Sequence, residues 1–293
     1  MEITKRAYAK INLTLEILHK RPDGYHEMQS VMHKIPIFDE ITVTLTRGSG
    51  IELNCNKEIC PVKDNLAYKA AKKYLHLSKT DETYHVEIGL TKMIPSQAGL
   101  AGGSADGAAV LDALFQLIGK LSYRDVEQIA AELGSDVPFC LEKYTCAVAS
   151  GTGTTLTPIP SIREGYVVVA LPKDRMSTAK IYALYDAQNP DDVEKQKTFQ
   201  LMHVLQNGGT LSELSFYTGN DFQPICFKLS PDIKAIRDEM VSSGAVLSQM
   251  SGSGAAVFGL FDAEEKALSC VKQLLLYKFE EISCNNLNIF PNS

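Results

Sequence analysis

Residues Pro95 to Ala105 read Pro-Ser-Gln-Ala-Gly-Leu-Ala-Gly-Gly-Ser-Ala, and an apolar helical pattern follows from Asp106 to Ile118. Three glycines and three alanines fall within these eleven residues, so a ligand can come close to the main chain of this glycine-rich loop. Because the loop runs into a helix N-terminus, unpaired N–H groups and the positive end of the helix dipole point at one spot. The stretch predicts an anion site for phosphate, although a tight loop that packs a helix on a strand has the same composition.

The glycine spacing excludes two familiar nucleotide-binding loops. No Gly-x-x-x-x-Gly-Lys-Ser/Thr sequence occurs in the chain, so the loop is not a Walker A loop. Gly99, Gly102 and Gly103 lack the intervals of Gly-x-Gly-x-x-Gly, and no strand-like run leads directly into them.

Composition narrows the class of protein. The 293 residues are 45% hydrophobic and 22% charged, as in soluble globular proteins. The net charge is −6 and no basic run occurs, so we expect no nucleic-acid partner. The N-terminus is polar and no apolar run approaches ~18 residues, so we expect a cytoplasmic protein without a membrane span. The seven cysteines contain no Cys-x-x-Cys pair, which indicates free thiols in a reducing compartment.

The glycine-rich loop resembles the second motif of the GHMP kinases (galactokinase, homoserine kinase, mevalonate kinase and phosphomevalonate kinase). The family pattern Pro-x-x-x-Gly-Leu-x-Gly/Ser-Ser/Gly-Ser-Ser/Ala is matched from Pro95 to Ala105. The resemblance implies that this loop wraps the triphosphate of ATP. Its members are therefore candidate ATP contacts: Pro95, Ser96, Gln97, Ala98, Gly99, Leu100, Ala101, Gly102, Gly103, Ser104 and Ala105.

A second glycine pair supports the resemblance. Gly252, Ser253 and Gly254 precede an apolar strand and resemble the third GHMP motif, which closes over the phosphates. Alone, this Gly-Ser-Gly sequence is typical of a turn.

An alternating strand is predicted from Ala7 to Ile17, with Lys10 and Asn12 on its polar face. A solvated outer face is the structural alternative. The segment resembles the opening strand of one GHMP branch, in which the lysine and the asparagine line the active site. The resemblance implies that Lys10 is catalytic and that Asn12 contacts substrate.

Tyr25 and His26 follow the turn signal Asp23-Gly24. A flat ring beside an imidazole can hold a heterocycle by stacking and hydrogen bonding, whereas a hairpin with a surface histidine is the alternative. The run from Arg21 to His26 is similar to a segment of the same branch, in which the Tyr-His pair contacts the cytosine of the substrate. Thr178 and Tyr182 match a further substrate-facing segment, and Tyr182 is expected to stack opposite Tyr25; packing on the core is the alternative.

Asp136 precedes Val137-Pro138, and the proline disfavours helix at Val137, which predicts a constrained turn. An aspartate in such a place is commonly a cap or turn former. Gly-Ser/Ala-Asp-Val-Pro is, however, similar to the segment that carries the catalytic aspartate of this branch. The resemblance implies that Asp136 accepts the proton of the attacking hydroxyl, and that Lys10 orients it and offsets charge on the phosphoryl group.

Two further positions are candidates for ATP binding. Asn65 matches a family position near the adenine, in a helix for which Asp64 is the predicted N-cap. Lys92 either reaches the nucleotide or is solvated. A capping-box helix is predicted from Ser122 to Gly134, and a last helix from Glu264 to Lys278.

The sequence departs from the family pattern at the end of the loop. Many relatives have two serines where this chain has Ser104-Ala105, so one hydroxyl is left to approach Mg²⁺ and the metal ligands stay open. Ala98 and Ala101 stand where other branches have glycine or serine, and their methyl groups are tolerated if the backbone angles there are ordinary.

The resemblance covers essentially the whole chain and implies an α+β protein of two domains. Residues 1–160 are expected to form a domain like ribosomal protein S5 domain 2, and residues 161–293 a ferredoxin-like domain, with the active site in the cleft. The implied activity is ATP- and Mg²⁺-dependent phosphorylation of the 2-hydroxyl of a cytidyl diphosphate of methylerythritol, in the methylerythritol phosphate route to isoprenoid precursors. A homoserine- or mevalonate-type kinase and a non-catalytic ligand sensor of the same fold remain alternatives. We expect a monomer or weak homodimer.

Overall fold

The computed structural model describes residues 1–173, 176–188, 195–276 and 280–287, and it describes the main chain alone at 280–282. The described strands are β1 (Glu2–Asn12), β2 (Thr14–Lys20), β3 (His26–Arg47), β4 (Ile51–Cys55), β5 (Tyr84–Thr91), β6 (Cys146–Gly151), β7 (Thr155–Pro158), β8 (Tyr166–Leu171), β9 (Gly219–Asn220), β10 (Leu247–Met250), β11 (Val257–Phe261) and β12 (Glu280–Asn286). The described α-helices are α1 (Leu66–Ser78), α2 (Gly102–Ile118), α3 (Tyr123–Leu133), α4 (Val137–Leu141), α5 (Thr178–Ala187), α6 (Lys197–Gln206), α7 (Leu211–Ser215), α8 (Gln223–Leu229), α9 (Pro231–Ser242) and α10 (Glu264–Leu276).

Contacts group the chain into two compact units. The first unit contains Met1–Ala9, Ile37–Ser96 and Ala101–Lys143. The second unit contains Lys10–Pro36, Gln97–Leu100 and the described residues from Tyr144 onward. The predicted domains, residues 1–160 and 161–293, divide the sequence at a single point, and that division stays a prediction.

In the first unit, helices cover a β-sheet. The C-terminal part of β3 pairs antiparallel with β5, and β4 pairs parallel with β5. The apolar faces of these strands pack with α1 to α4 in one core, to which β3 contributes Ile41 and Val43. Small residues let α1 and α2 approach closely: a Cβ on Gly107 of α2 would lie 3.3 Å from the Leu66 carbonyl oxygen of α1. Close packing against α1 therefore fixes the position of the N-terminal part of α2 within the first unit.

In the second unit, a four-stranded antiparallel sheet has the order β10-β11-β8-β12. The apolar strand β8 lies between β11 and β12, which explains why its residues 167–171 are all buried. The core of this unit also draws on β2, through Leu15 and Ile17. β2 pairs antiparallel with the N-terminal part of β3 and parallel with β9.

The structure corrects several local predictions. The alternating segment from Ala7 to Ile17 is two strands, β1 and β2, and both of its faces are buried, including Lys10, Asn12, Thr14 and Glu16. The solvated-face alternative is therefore wrong. Helix α2 begins at Gly102, four residues before the predicted Asp106, so that residues 102–105 of the glycine-rich loop form its first turn.

Helix ends follow their capping signals in part. The capping box between Ser122 and Asp125 and the stop at Gly134 are confirmed in α3. The N-cap of α1 is Asn65, not Asp64. Helix α10 is described from Glu264 to Leu276, and the predicted end at Lys278 lies outside the described residues. None of the helices within the described ranges combines the length and apolar character needed to cross a bilayer.

Candidate active site

The first turn of α2, in the first unit, begins with main-chain N–H groups that precede the helical hydrogen-bond ladder. Ala105 N–H donates to the Ala101 carbonyl oxygen at 2.9 Å and opens the helical ladder. The N–H groups of residues 102–104 therefore precede that ladder, as at any helix start. Ala101 adopts the left-handed conformation, with φ +58°. The condition of an ordinary backbone angle is therefore not met at this alanine, and the conformation costs about 1 kcal/mol.

Gly102 and Gly103, the two glycines of this turn, differ in their surroundings. A Cβ on Gly102 would lie 2.9 Å from Ile94 Cγ2, so this glycine lets the helix start pack on the residue beneath it. Gly103 is exposed, and a Cβ there would meet, among the described residues, only Leu66 Cδ1 at 3.8 Å. The main chain at Gly103 is thus open next to the helix N-terminus, an arrangement that fits a phosphate group.

Lys92 lies beneath this turn in a buried charge cluster of the first unit. Its ammonium group pairs with Asp39, and with Asp106 Oδ2 at 2.7 Å. The residue is only 2% exposed, so the alternative that Lys92 is solvated is wrong. A Cβ on Gly102 would lie 3.3 Å from Lys92 Nζ, which places the ammonium at the start of α2. Nucleotide contact by Lys92 stays a prediction.

The ammonium group of Lys92 forms ion pairs with two carboxylates in this cluster. Burial raises the pKa of Asp106 to about 7, and the neighbouring Asp39 charge adds to that rise while Lys92 opposes it. Asp39 Oδ1 accepts from the N–H groups of Met93 and Ile94, which fixes the chain just before the glycine-rich loop. Asp106 Oδ1 is buried and has no hydrogen-bond partner among the described residues. The cluster therefore holds both ends of the residue 92–106 segment within the first unit.

Asn65 and Asp136 both precede helices of the first unit. The Asn65 side chain accepts from Ala67 N–H at 2.9 Å and caps α1, so its cap role is established and its adenine contact stays a prediction. Asp136 stands at the N-cap position of α4, with φ −85° and ψ −15°. The expectation that Pro138 keeps Val137 out of a helix is wrong, because a proline in the first turn needs no N–H partner.

In the second unit, Lys10 is held by a directed chain of hydrogen bonds. Lys10 Nζ donates to Asn12 Oδ1 at 2.8 Å, and Asn12 Nδ2 donates to Ser30 Oγ at 2.8 Å. Ser30 Oγ in turn donates to the Thr14 carbonyl oxygen. Because Ser30 accepts from the amide nitrogen, the oxygen of Asn12 must face Lys10. Asn12 thus positions the lysine, and its predicted contact with substrate stays a prediction.

Residues 97–100 meet the third glycine motif within the second unit. Ser251 Oγ donates to the Gly99 carbonyl oxygen at 3.0 Å, and Ala256 N–H donates to that of Ala98 at 3.0 Å. Gly99 has φ +78°, and a Cβ there would lie 2.2 Å from the Ser251 carbonyl oxygen, so only glycine fits. Asn220 Nδ2 donates to the carbonyl oxygen of Gly252 at 2.8 Å. The structure therefore brings these two predicted ATP-binding segments together.

The ring of His26 packs against an aromatic side chain in the second unit. The His26 and Tyr182 ring centroids are 4.8 Å apart, and Tyr182 meets Phe222 edge-on at 4.7 Å. Tyr25, the residue before His26 in the sequence, is 67% exposed. Its stacking opposite Tyr182 stays a prediction. Nearby on helix α5, Thr178 Oγ1 lies 2.7 Å from Ser253 Oγ, which joins a predicted substrate residue to the third glycine motif.

The sequence reasoning missed the residues that hold these side chains. Ser30 lies 18 positions after Asn12, and no local pattern connects the two residues. Asp39 and Asp106 were missed as partners of Lys92. Asp186 was also missed, although its position four residues after Tyr182 on a predicted helix was an available signal.

The family model described as GHMP kinases N terminal domain matches residues 65–143, and the one described as GHMP kinases C terminal matches residues 200–275. The chain belongs to the GHMP kinase family, which confirms the resemblance and the predicted α+β fold class.

Two similar relatives carry the same kinase name. The 4-diphosphocytidyl-2-C-methyl-D-erythritol kinase of Desulfitobacterium hafniense (strain Y51) is 39% identical over 89% of this chain and 88% of its own length. The enzyme of the same name from Alkaliphilus oremlandii (strain OhILAs) is 37% identical over 94% of both chains. A crystal structure of 4-(cytidine 5'-diphospho)-2C-methyl-D-erythritol kinase has a TM-score of 0.80 at 30% identity, over 97% of this chain and 98% of that one. A homoserine kinase from Cytophaga hutchinsonii ATCC 33406 shares the fold, with a TM-score of 0.74 at 17% identity over 98% of this chain and 95% of its own.

Proposed function

We propose that this chain transfers the γ-phosphoryl group of ATP to the 2-hydroxyl of 4-diphosphocytidyl-2-C-methyl-D-erythritol. The product would serve the methylerythritol phosphate route to isoprenoid precursors. Membership of the GHMP family supports phosphoryl transfer to a small-molecule alcohol. Relatives of 34–39% identity that carry the name of this kinase support the substrate.

The observation that carries the substrate assignment is the ring of His26 against the ring of Tyr182, 4.8 Å away in the second unit. Paired rings next to a hydrogen-bonding nitrogen suit a nucleobase. Homoserine and mevalonate carry no base, so an enzyme for either substrate has no use for this arrangement. The base-bearing substrate is therefore favoured over both alternatives.

Phosphoryl transfer has a loose transition state, so the protein mainly positions the reactants and offsets charge. We assign the open main chain of Gly102, Gly103 and Ser104 to the phosphates of ATP, because helix-start N–H groups suit an anion. Asp136 is assigned to accepting the hydroxyl proton. Lys10 is assigned to offsetting charge on the transferred group, and its buried hydrogen bond to Asn12 supports a fixed position for that charge.

Mg²⁺ bound with ATP would neutralise charge on the phosphates. The loop offers it one hydroxyl, that of Ser104, because Ala105 replaces the second serine of many relatives. We propose that Ser104 contributes directly or through water, and that phosphate oxygens and water supply the other ligands. We also propose that the chain works in the cytoplasm as a monomer or weak homodimer. Sedimentation equilibrium of the purified chain tests the oligomeric state.

The deciding experiment measures ATP consumption with the cytidyl diphosphate substrate, with homoserine and with mevalonate. We expect turnover with the first compound and only background with the others. Equal or better turnover of homoserine or mevalonate would reject the substrate assignment. Binding of the cytidyl compound without ATP consumption would favour the non-catalytic sensor.

Substitution Asp136→Asn tests the assigned proton acceptor. We expect kcat to fall by about two orders of magnitude or more, with a small change in ATP affinity. The reason is that Asp136 would accept the proton in the transition state of the chemical step and would not bind ATP. Asp238→Asn is a matched control: it removes one carboxylate from an exposed Lys234–Asp238 pair on α9 and should leave kcat unchanged. A near-normal kcat for the Asp136 variant would remove this residue from the mechanism.

A further inference from the structure

Asp186 lies one helical turn after Tyr182 on α5, so both side chains are on the same face of that helix. One carboxylate oxygen of Asp186 is 2.6 Å from His26 Nε2, and the other is 2.5 Å from Lys20 Nζ. Tyr182 covers the face of the same imidazole. His26 is therefore held at its ring face by a tyrosine and at one ring nitrogen by a carboxylate.

The Asp186 contact decides which nitrogen of His26 carries the proton. The hydrogen bond from Lys20 is the main cause that lowers the pKa of Asp186, and the bond to His26 lowers it further. An ionised carboxylate only accepts hydrogen bonds, so Nε2 of His26 must be the donor. In the neutral ring, Nδ1 is then an acceptor. Among the residues that the structure describes, no side chain or main-chain group hydrogen-bonds to this Nδ1.

We propose that Asp186 is a positioning residue that sets the base preference of this chain, by holding His26 as the Nε2–H tautomer with Nδ1 facing the nucleobase as an acceptor. The inference rests on the proposed function, because it specifies how the base of the cytidyl substrate is distinguished.

The preference follows from the groups that two pyrimidines present. Cytosine carries an amino group at the position where uracil carries a carbonyl oxygen. An acceptor at Nδ1 pairs with the amino group and leaves the uracil oxygen facing another acceptor. A polar group that is desolvated without forming a hydrogen bond lowers the binding affinity by several-fold to about a hundredfold. The fixed tautomer therefore selects cytosine.

The test compares the cytidyl diphosphate substrate with its uridine analogue, in the full chain and with ATP saturating. In Asp186→Ala, we expect KM for the cytidyl substrate to rise about tenfold. The cytidine-to-uridine ratio of kcat/KM should fall about tenfold, while KM for ATP stays unchanged. Asp186→Asn keeps an acceptor oxygen and should restore part of the ratio. Because Asp186 is half-buried, thermal unfolding should show both variants folded.

Two controls separate position from charge. Lys20→Gln removes the other partner of Asp186 but leaves the His26 contact, so it should keep the base preference. Asp238→Asn makes the same chemical change as Asp186→Asn at an exposed helical ion pair and should also keep it.

A second readout does not depend on turnover. ¹⁵N NMR of histidine-labelled protein, with His26→Gln to assign the signal, should show the Nε2–H tautomer for His26, and a tautomer mixture in Asp186→Ala. A proton on Nδ1 in the unmodified chain, or an unchanged base preference in Asp186→Ala, would overturn the inference. If the unmodified chain fails to use the cytidyl substrate at all, it is the proposed function that fails.

Discussion

Acidification should destabilise this protein through His33, a buried histidine of β3. His33 is 1% exposed in the second unit. Ile162 N–H donates to its Nε2 at 3.1 Å, so Nδ1 carries the proton and donates to the Lys34 carbonyl oxygen at 2.6 Å. Both nitrogens of the neutral ring are thus hydrogen-bonded. Burial lowers the pKa of His33 from 6.5 to about 4.

The sign and size of the effect follow from this pKa difference. Between pH 6.5 and about 4 the unfolded chain binds a proton at His33 that the folded chain does not, so the free energy of unfolding falls as pH falls. At ~1.4 kcal/mol per pH unit, the loss attributable to His33 between pH 7 and pH 5 is about 2 kcal/mol. Asp106 acts in the opposite sense, because its pKa is raised in the folded state and its stability contribution grows as pH falls.

The measurement must therefore isolate His33. Urea unfolding of the unmodified chain and of His33→Gln, at pH 7 and pH 5, gives two differences in the free energy of unfolding. The variant should be less stable at pH 7, and its deficit should shrink by about 2 kcal/mol at pH 5, because only the unmodified chain loses the His33 contribution. Asp106 cancels because it titrates in both proteins. A deficit that is the same at both pH values would refute the reasoning.

Two further predictions concern the glycine-rich segment. Gly99→Ala should lose at least about 2 kcal/mol more stability than Gly208→Ala by thermal unfolding, and it should raise KM for ATP. Both glycines have positive φ, but a Cβ on Gly99 would meet a backbone oxygen, whereas a Cβ on Gly208 would meet no atom of the described residues within 4 Å. Equal losses would contradict the close approach. Lys92→Met should lower the free energy of unfolding by roughly 3–5 kcal/mol, because it leaves the buried carboxylates of Asp39 and Asp106 without a cation. An unchanged unfolding midpoint with a raised KM for ATP would instead make Lys92 a nucleotide ligand.

Local signals in the sequence predicted local structure well. The capping box at Ser122 and the stop at Gly134 needed only neighbouring residues, and both were correct. The start of α2 was placed too late because glycines have a low helix propensity. Packing at Gly102, where any side chain would meet Ile94, overrides that propensity.

Burial of polar side chains could not be predicted locally. The polar face of β1 was open to two interpretations because its partners are distant in sequence: Ser30 for Asn12, and Gln249, whose amide donates to the Asn12 carbonyl oxygen. Lys92 was ambiguous for the same reason, since Asp39 lies 53 positions away. The family resemblance supplied the roles of Lys10 and Asp136, and their pairing in catalysis stays a prediction.

The second unit collects its core from separate stretches of chain, and this limits how the protein can be divided. Leu15, Ile17 and Met28 pack with Val168 and Phe261. A recombinant fragment that begins at residue 161 would leave these apolar surfaces in water and should be recovered as insoluble aggregate. Split-protein or complementation designs should therefore supply residues 10–36 together with the C-terminal half. They should also supply the tetrapeptide 97–100, to which Ser251 and Ala256 donate hydrogen bonds.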